Sequence, residues 1–306
     1  MATRDEQLNV GTFTPSLLID VARSSGAFRK KGLDVVESLV PSSPSQFTSL
    51  EAGEFDVVFT SPDNVLAYHF LSANPLRRSI PLQIICGIDR GLGLSLCTAP
   101  GIADIEELHA QILGVDVPQS GFAFVAYALL ERAGLRPGDY TIESLGSTPR
   151  RTDALIEGAC AVTILNAGNE LRAGGAGCSV VSPVADLGPY YGTVLATLAD
   201  RDDDVNEMNQ RFAGALLATT GEIIAGERES EVIEAATRLL KLSEAEAQRH
   251  YECLRTPMTG LVASGRVDRA SIATLVELRR TYSPTDELDV IMDALDAVVL
   301  DGVLEE

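Results

Sequence analysis

The chain has 306 residues, 45% of them hydrophobic and none of them Trp, enough to bury one large core or two joined by crossovers. Its 24 Lys and Arg stand against 44 Asp and Glu, a formal charge of -20. The one compact basic run is Arg29-Lys30-Lys31, which argues against nucleic acid or another polyanion as a partner.

No stretch approaches the roughly 18 apolar residues that span a bilayer, so membrane insertion is not expected. The opening Met1-Ala2-Thr3-Arg4-Asp5-Glu6-Gln7 shows no apolar leader segment. As written, the chain reads as cytoplasmic; with a leader removed, it would read as periplasmic or extracellular. The five cysteines (Cys86, Cys97, Cys160, Cys178, Cys253) are odd in number and sit in apolar or small-residue runs. Buried free thiols are expected, not a disulfide frame.

The first sixty residues alternate between strand and helix patterns. Leu8-Asn9-Val10-Gly11 reads as a buried strand, and Pro15 starts a helix with Leu17, Leu18, Val21 and Ala22 on one face. Segment 33–40 is a Val-rich strand broken by Pro41 and Pro44, 45–51 a short helix, and 55–60 a third strand. Ser61-Pro62 then opens a helix, Ser as cap and Pro in its first turn. This spacing predicts a mostly parallel sheet flanked by helices.

Segments 81–88 and 91–98 read as strands. A second alternation follows, with strands at 112–115, 140–145, 160–165 and 177–183 and helices at 120–133, 148–158 and 166–173. Segment 192–198 is one more strand. Beyond Asp200 the pattern is helical throughout: 207–224, 230–242, a third helix capped by Ser243-Glu244-Ala245-Glu246, and two more to the C-terminus.

Particular runs carry a resemblance. They are Gly11-Thr12-Phe13-Thr14-Pro15 after the first strand, Ser25-Gly26-Ala27-Phe28, Lys31-Gly32-Leu33-Asp34-Val35, and Leu50-Glu51-Ala52-Gly53-Glu54-Phe55-Asp56-Val57-Val58. Further on come Ile102-Ala103-Asp104-Ile105-Glu106-Glu107-Leu108, Leu130-Glu131-Arg132-Ala133-Gly134-Leu135 and Asp153-Ala154-Leu155-Ile156-Glu157-Gly158. Over roughly residues 7–200 the chain resembles the sulfonate, taurine and nitrate type of ABC-transporter substrate-binding protein. That superfamily also holds the fungal thiamine-pyrimidine synthases. The resemblance implies a two-lobed α/β fold of the type II periplasmic-binding-protein kind, with a helical C-terminal tail. Residues 1–97 and 191–306 would form lobe 1, and 98–190 lobe 2. The Cys-rich motif of the synthases is absent. The first loop, Thr12-Phe13-Thr14, lacks the nucleophilic Cys of the sulfinate-removing relatives.

In open α/β sheets ligands lie beyond the carboxyl ends of the strands, where helix N-termini offer free N–H donors. The loops there nominate the site. Phe13 stacks on a ligand or packs in the core, and Thr14 bonds a ligand or caps the helix. Thr60 and Ser61 form a hydroxyl cradle, or Ser61 serves only as a cap. Asp89 and Arg90 precede the crossover, where Arg90 grips an anion or makes an ion pair with a neighbour. Ser120, Gly121 and Phe122 open the main second-lobe helix and are the favoured contacts. Of Arg150 and Arg151 at most one should face the ligand, and Arg150 is nominated. Asn166 can donate and accept, and Tyr191, with Tyr190, lines the cleft or packs at the hinge.

No metal-ligand spacing, P-loop or nucleophile motif occurs, and neither a metal nor a cofactor is expected. His109 and His250 read as surface residues. The first expectation is a binding module for an organic anion or heterocycle, closing by a hinge, with an ABC permease as partner of an exported form. The alternative is an enzyme on the same scaffold, a lyase, decarboxylase or hydrolase acting on a small organic acid. Its suspects would be Asp63, His69 and Asp89.

Overall fold

The computed structural model describes residues 6–305; residues 1–5, which bear on the question of a leader, lie outside them. The Val- and Ile-rich runs become strands β1 (Glu6–Thr12), β2 (Leu33–Leu39), β3 (Val57–Thr60) and β4 (Leu82–Asp89). Between them lie α1 (Leu17–Ser24), α2 (Ser43–Glu51) and α3 (Pro62–Phe70). The second unit contains β5 (Ser95–Thr98), β6 (Ile112–Val115), β7 (Thr141–Ser144), β8 (Val162–Leu165) and β9 (Ser179–Pro183). Its helices are α4 (Gly121–Arg132), α5 (Thr148–Ile156) and α6 (Asn169–Gly175). Strand β10 (Thr193–Leu198) follows, then α7 (Asp203–Ala225), α8 (Glu229–Leu239), α9 (Glu244–Leu254), β11 (Val267–Asp268), α10 (Arg269–Tyr282) and β12 (Leu304–Glu305).

The strands form two five-stranded sheets, ordered β2-β1-β3-β10-β4 and β7-β6-β8-β5-β9. Each is built alike. Three strands run parallel (β2, β1 and β3; β7, β6 and β8), and the strand arriving from the other sheet, β10 or β5, runs antiparallel beside them. The chain leaves the first sheet after Asp89, enters the second at Ser95, and returns between Pro183 and Thr193.

Serines start the first four helices. Ser16, Ser42, Ser61 and Ser120 each accept a bond from an amide in the first turn of α1 to α4. In each case the non-helical cap residue is a Ser whose oxygen takes up an otherwise orphaned N–H. Thr14 is not the cap of α1; Ser16 is, accepting from Ile19 N at 3.3 Å.

Three apolar clusters hold the molecule together. One covers the outer face of the first sheet with α1, α7, α8 and α9. A smaller one lies under α5 and α6. The largest runs between the sheets and contains Val58, Tyr68, Leu113, Phe124, Tyr191 and Leu275. The two lobes therefore share a core, with α10 wedged between α3 and α4.

Two expectations are corrected. Residues 91–94 are a turn, because Gly91 and Gly93 take positive φ, and the strand begins only at Ser95. The tail is not wholly helical: after α9 there is one α-helix, and the short β11–β12 ladder and 3-10 turns complete the chain. Among the described residues no helix is long and apolar enough to cross a membrane.

Candidate ligand-binding site

The carboxyl ends of β1, β2, β3, β6, β7 and β8 point into one cavity of about 180 Å³ between the lobes. The N-cap serines of five helices line it: Ser16, Ser42, Ser61, Ser120 and Ser147. Between helix ends the wall is apolar, with Phe13 and Phe122 on it. Thr14, Thr60, Gly121 and Asn166 also face the cavity. Phe13 is half-buried and packs against the shared core as well, so its two readings are not exclusive.

Arg151 is the arginine at this wall, and Arg150 is exposed away from it. Arg151 is 1% exposed. Its guanidinium donates to Ile164 O at 3.2 and 3.4 Å, to Gly146 O at 2.5 Å and to Thr148 Oγ1 at 3.1 Å. It thereby ties the loop after β7 to the end of β8, where Thr148 donates on to Asn166 Oδ1 at 3.2 Å. Asp116, missed by sequence reasoning, lines the cavity and accepts the Ser120 hydroxyl.

Glu37 supports the first loop from behind. Its carboxylate accepts Thr12 Oγ1 at 2.8 Å and Ser16 N at 2.7 Å. Burial pushes its pKa up against those bonds.

No family model matches the chain, and no curated protein matches it. Solved structures do. The alkanesulfonate-binding protein SsuA from Xanthomonas axonopodis pv. citri, bound to MOPS, aligns with TM-score 0.72 at 13% identity, covering 99% of both chains. The Candida albicans CA3427 gene product, described as having the generic periplasmic-binding-protein fold, aligns with TM-score 0.72 at 14% identity over 98% of each. The ligand-binding component of an ABC-type import system from Staphylococcus aureus, with zinc bound, gives 0.71 at 12% identity over 92% of this chain and 93% of that one. This chain has the periplasmic-binding-protein fold.

In the periplasmic-binding-protein fold of this chain, the residues at the crossovers have structural partners. Asp89 borders the cavity, but its carboxylate accepts Gly91 N at 2.9 Å and Leu92 N at 3.0 Å, with the Thr193 side chain as a further partner. It clasps the outgoing crossover to the returning strand, and burial raises its pKa. Arg90 does not reach the cavity. It pairs with Asp268 at 2.6 Å and lies 4.9 Å over the Tyr191 ring. Tyr191 is fully buried, donates to Arg266 O at 2.5 Å, and packs beside the returning crossover instead of lining the cleft.

The three catalytic suspects are placed differently. Asp63 is held by Arg279 in a buried two-point ion pair. His69 lies off the cavity wall beside Phe70. Asp89 has its bonds occupied, as described. Among the described residues no three His, Cys, Asp or Glu side chains are placed to hold a metal ion.

His250 reverses its sequence reading. It is 1% exposed and lines the cavity from α9, with Nδ1 unpartnered. Burial lowers its pKa to about 4. Across Gly168 from it stands Glu170, whose Oε2 accepts Gly168 N at 2.9 Å and whose Oε1 has no partner. Desolvation raises the Glu170 pKa to about 8, far above its ordinary 4.5. The folded state thus binds a proton there that the unfolded chain releases. That stability is fully present below pH 4.5 and is lost as pH rises through about 8. Glu170→Gln keeps the shape without the ionisation, so it should raise the melting temperature by several degrees at pH 8.5 and hardly at all at pH 5. Equal shifts at the two pH values would remove Glu170 as the titrating group.

Proposed function

We propose that this chain binds a small organic molecule, an organic anion or a heterocycle, in the cleft between its lobes and closes upon it. The observation that carries this reading is the convergence of five serine-started helix N-termini on one cavity. First-turn amides carry partial positive charge and suit the oxygens of an anion or the acceptor atoms of a ring. Arg90 faces away, and the Arg151 guanidinium is occupied by carbonyls, so the acceptor would rest on amides and hydroxyls. The ligand contacts in this reading are Phe13, Thr14, Thr60, Ser61, Ser120, Gly121, Phe122 and Asn166. Asp116 would add an acceptor for a ligand N–H.

A neighbour with the same fold is the ligand-binding component of an ABC-type import system, which supports extending the reading to delivery of the ligand to a membrane permease. That role requires export to the periplasm or cell surface. The enzyme alternative draws no support from Asp63, His69 or Asp89, whose carboxylates or ring are engaged elsewhere or lie off the wall.

A thermal-shift screen with sulfonates, carboxylates, phosphonates and pyrimidines tests the reading, each hit followed by mass spectrometry of the recovered compound. A ligand at about 100 times its Kd should add ~2.7 kcal/mol. Ser120→Ala should weaken a hit by roughly fivefold to tenfold, the worth of about one hydrogen bond. Unchanged ligand supports binding, whereas consumed ligand would make the chain an enzyme. No hit in any class would overturn the cleft as a ligand site.

A further inference from the structure

The C-terminal segment is fixed to the first lobe through its backbone. Along β4, Ile84 N donates to Val298 O at 2.7 Å and Gly87 N to Gly265 O at 2.7 Å, while Leu300 N donates to Ile84 O at 2.9 Å. Asp268, the N-cap of α10, pairs with Arg90, and Arg279 further along the helix is locked to Asp63 of α3. Toward the second lobe the same helix makes weaker contacts. Among the described residues no backbone hydrogen bond joins α10 to that lobe. Arg279 reaches Gln119 O only at 3.4 Å, and Tyr282 donates to the exposed Glu131 carboxylate at 2.7 Å. The Tyr282 ring centre lies 6.1 Å from that of Phe124 and 5.5 Å from that of Tyr127, both on α4. The interface with the first lobe is a backbone ladder and a buried two-point ion pair, costly to break. The interface with the second is a ring cluster and two polar contacts near water, which separate far more easily. Gln119 directly precedes Ser120, the α4 cap on the cavity wall, so parting there withdraws one wall of the cleft.

We propose that α10 is a catch for the cleft: it travels with the first lobe, grips α4 of the second through Tyr282 and Arg279, and lets α4 go when the lobes open. This inference rests on the reading that the lobes open and close about the cleft, and it requires no particular ligand.

The test uses the ligand-free full chain, by small-angle scattering and by hydrogen exchange read by mass spectrometry. Tyr282→Ala removes the bond to Glu131 and the ring contacts together. It should enlarge the radius of gyration and speed exchange of the amides at 117–124 by about tenfold, the worth of one hydrogen bond or aromatic contact. Peptides covering 84–88 and 298–300 should exchange as in the parent. Glu131→Ala, an exposed change that keeps the rings, should speed the same amides at 117–124 by about twofold to fivefold. Arg280→Ala alters an exposed residue of the same helix that pairs with Glu277 and Asp289, and it should move neither readout. If Tyr282→Ala does not fold, the comparison of Glu131→Ala with Arg280→Ala decides alone. Faster exchange at 84–88 and 298–300 instead would mean that the tail leaves the first lobe, which overturns the catch. Unchanged exchange and an unchanged radius in Tyr282→Ala and Glu131→Ala overturn it as well. Neither result bears on the cleft as a ligand site, which the thermal-shift screen decides separately.

Discussion

Replacing Arg279 with Met is expected to destabilise the protein by about 3–5 kcal/mol, the usual cost of stripping one partner from a buried ion pair. Arg279 reaches from α10 to Asp63 on α3, with Nε to Oδ1 at 2.6 Å and Nη2 to Oδ2 at 2.8 Å. The two side chains are 6% and 1% exposed, so water screens neither. The guanidinium also donates to Gln119 O at 3.4 Å and lies 5.2 Å over the Phe124 ring, both in the second lobe. One side chain thus joins three parts of the fold. Met would fill much of the volume but leave the Asp63 carboxylate buried without a counter-ion. The melting temperature should fall on the order of 10 °C. A double variant, Asp63→Leu with Arg279→Met, removes both charges and should recover most of the loss. A single variant within 1 kcal/mol of the parent in urea unfolding would show that the pair does not brace α3 against α10.

What the sequence made legible follows from local physics. Strands such as 57–60 and 162–165 are short runs of Val, Ile, Leu, Phe and Thr between turn residues, and all eight residues are buried. Helix starts were readable where Ser precedes Pro, as at Ser61-Pro62. Partnerships across the chain were not readable. Arg90 finds Asp268 178 residues away and Asp63 finds Arg279 216 residues away, so neither pairing has a local signature. That left Arg90 and Asp63 looking like free cleft residues.

Two other misses did have a signal. On α5 the buried positions are Thr148, Arg151, Thr152 and Leu155, a spacing of three, four and seven that selects Arg151 over Arg150. On α9 the buried face is Glu246, Ala247, His250, Tyr251 and Leu254, which places His250 inside. The flanking Arg249 and Glu252 drew attention to charge, but they lie on the other face of the same helix.

Gly121→Ala should weaken ligand binding by about 5- to 150-fold, equivalent to roughly 1–3 kcal/mol of overpacking felt when the lobes meet. Gly121 is the first residue of α4, in the second lobe, and faces Asp63 in the first. A Cβ there would stand 2.6 Å from the Asp63 carboxyl carbon, closer than real Cβ contacts come. A flexible neighbour could move aside, but Asp63 is held at both oxygens by Arg279. The lobes would have to part instead. A ligand bridging both walls would then bind only after the clash had been overcome, and its apparent affinity would drop by the fraction of molecules able to close. The ligand-free protein could relieve the same contact by opening, so its melting temperature should fall much less than its affinity. Titration calorimetry with any hit from the screen, alongside small-angle scattering of the ligand-free variant, separates the alternatives. Lost affinity with a larger radius of gyration supports a closing contact at Gly121. Full affinity in the variant would mean that Asp63 and α4 adjust locally and that this contact does not limit closure.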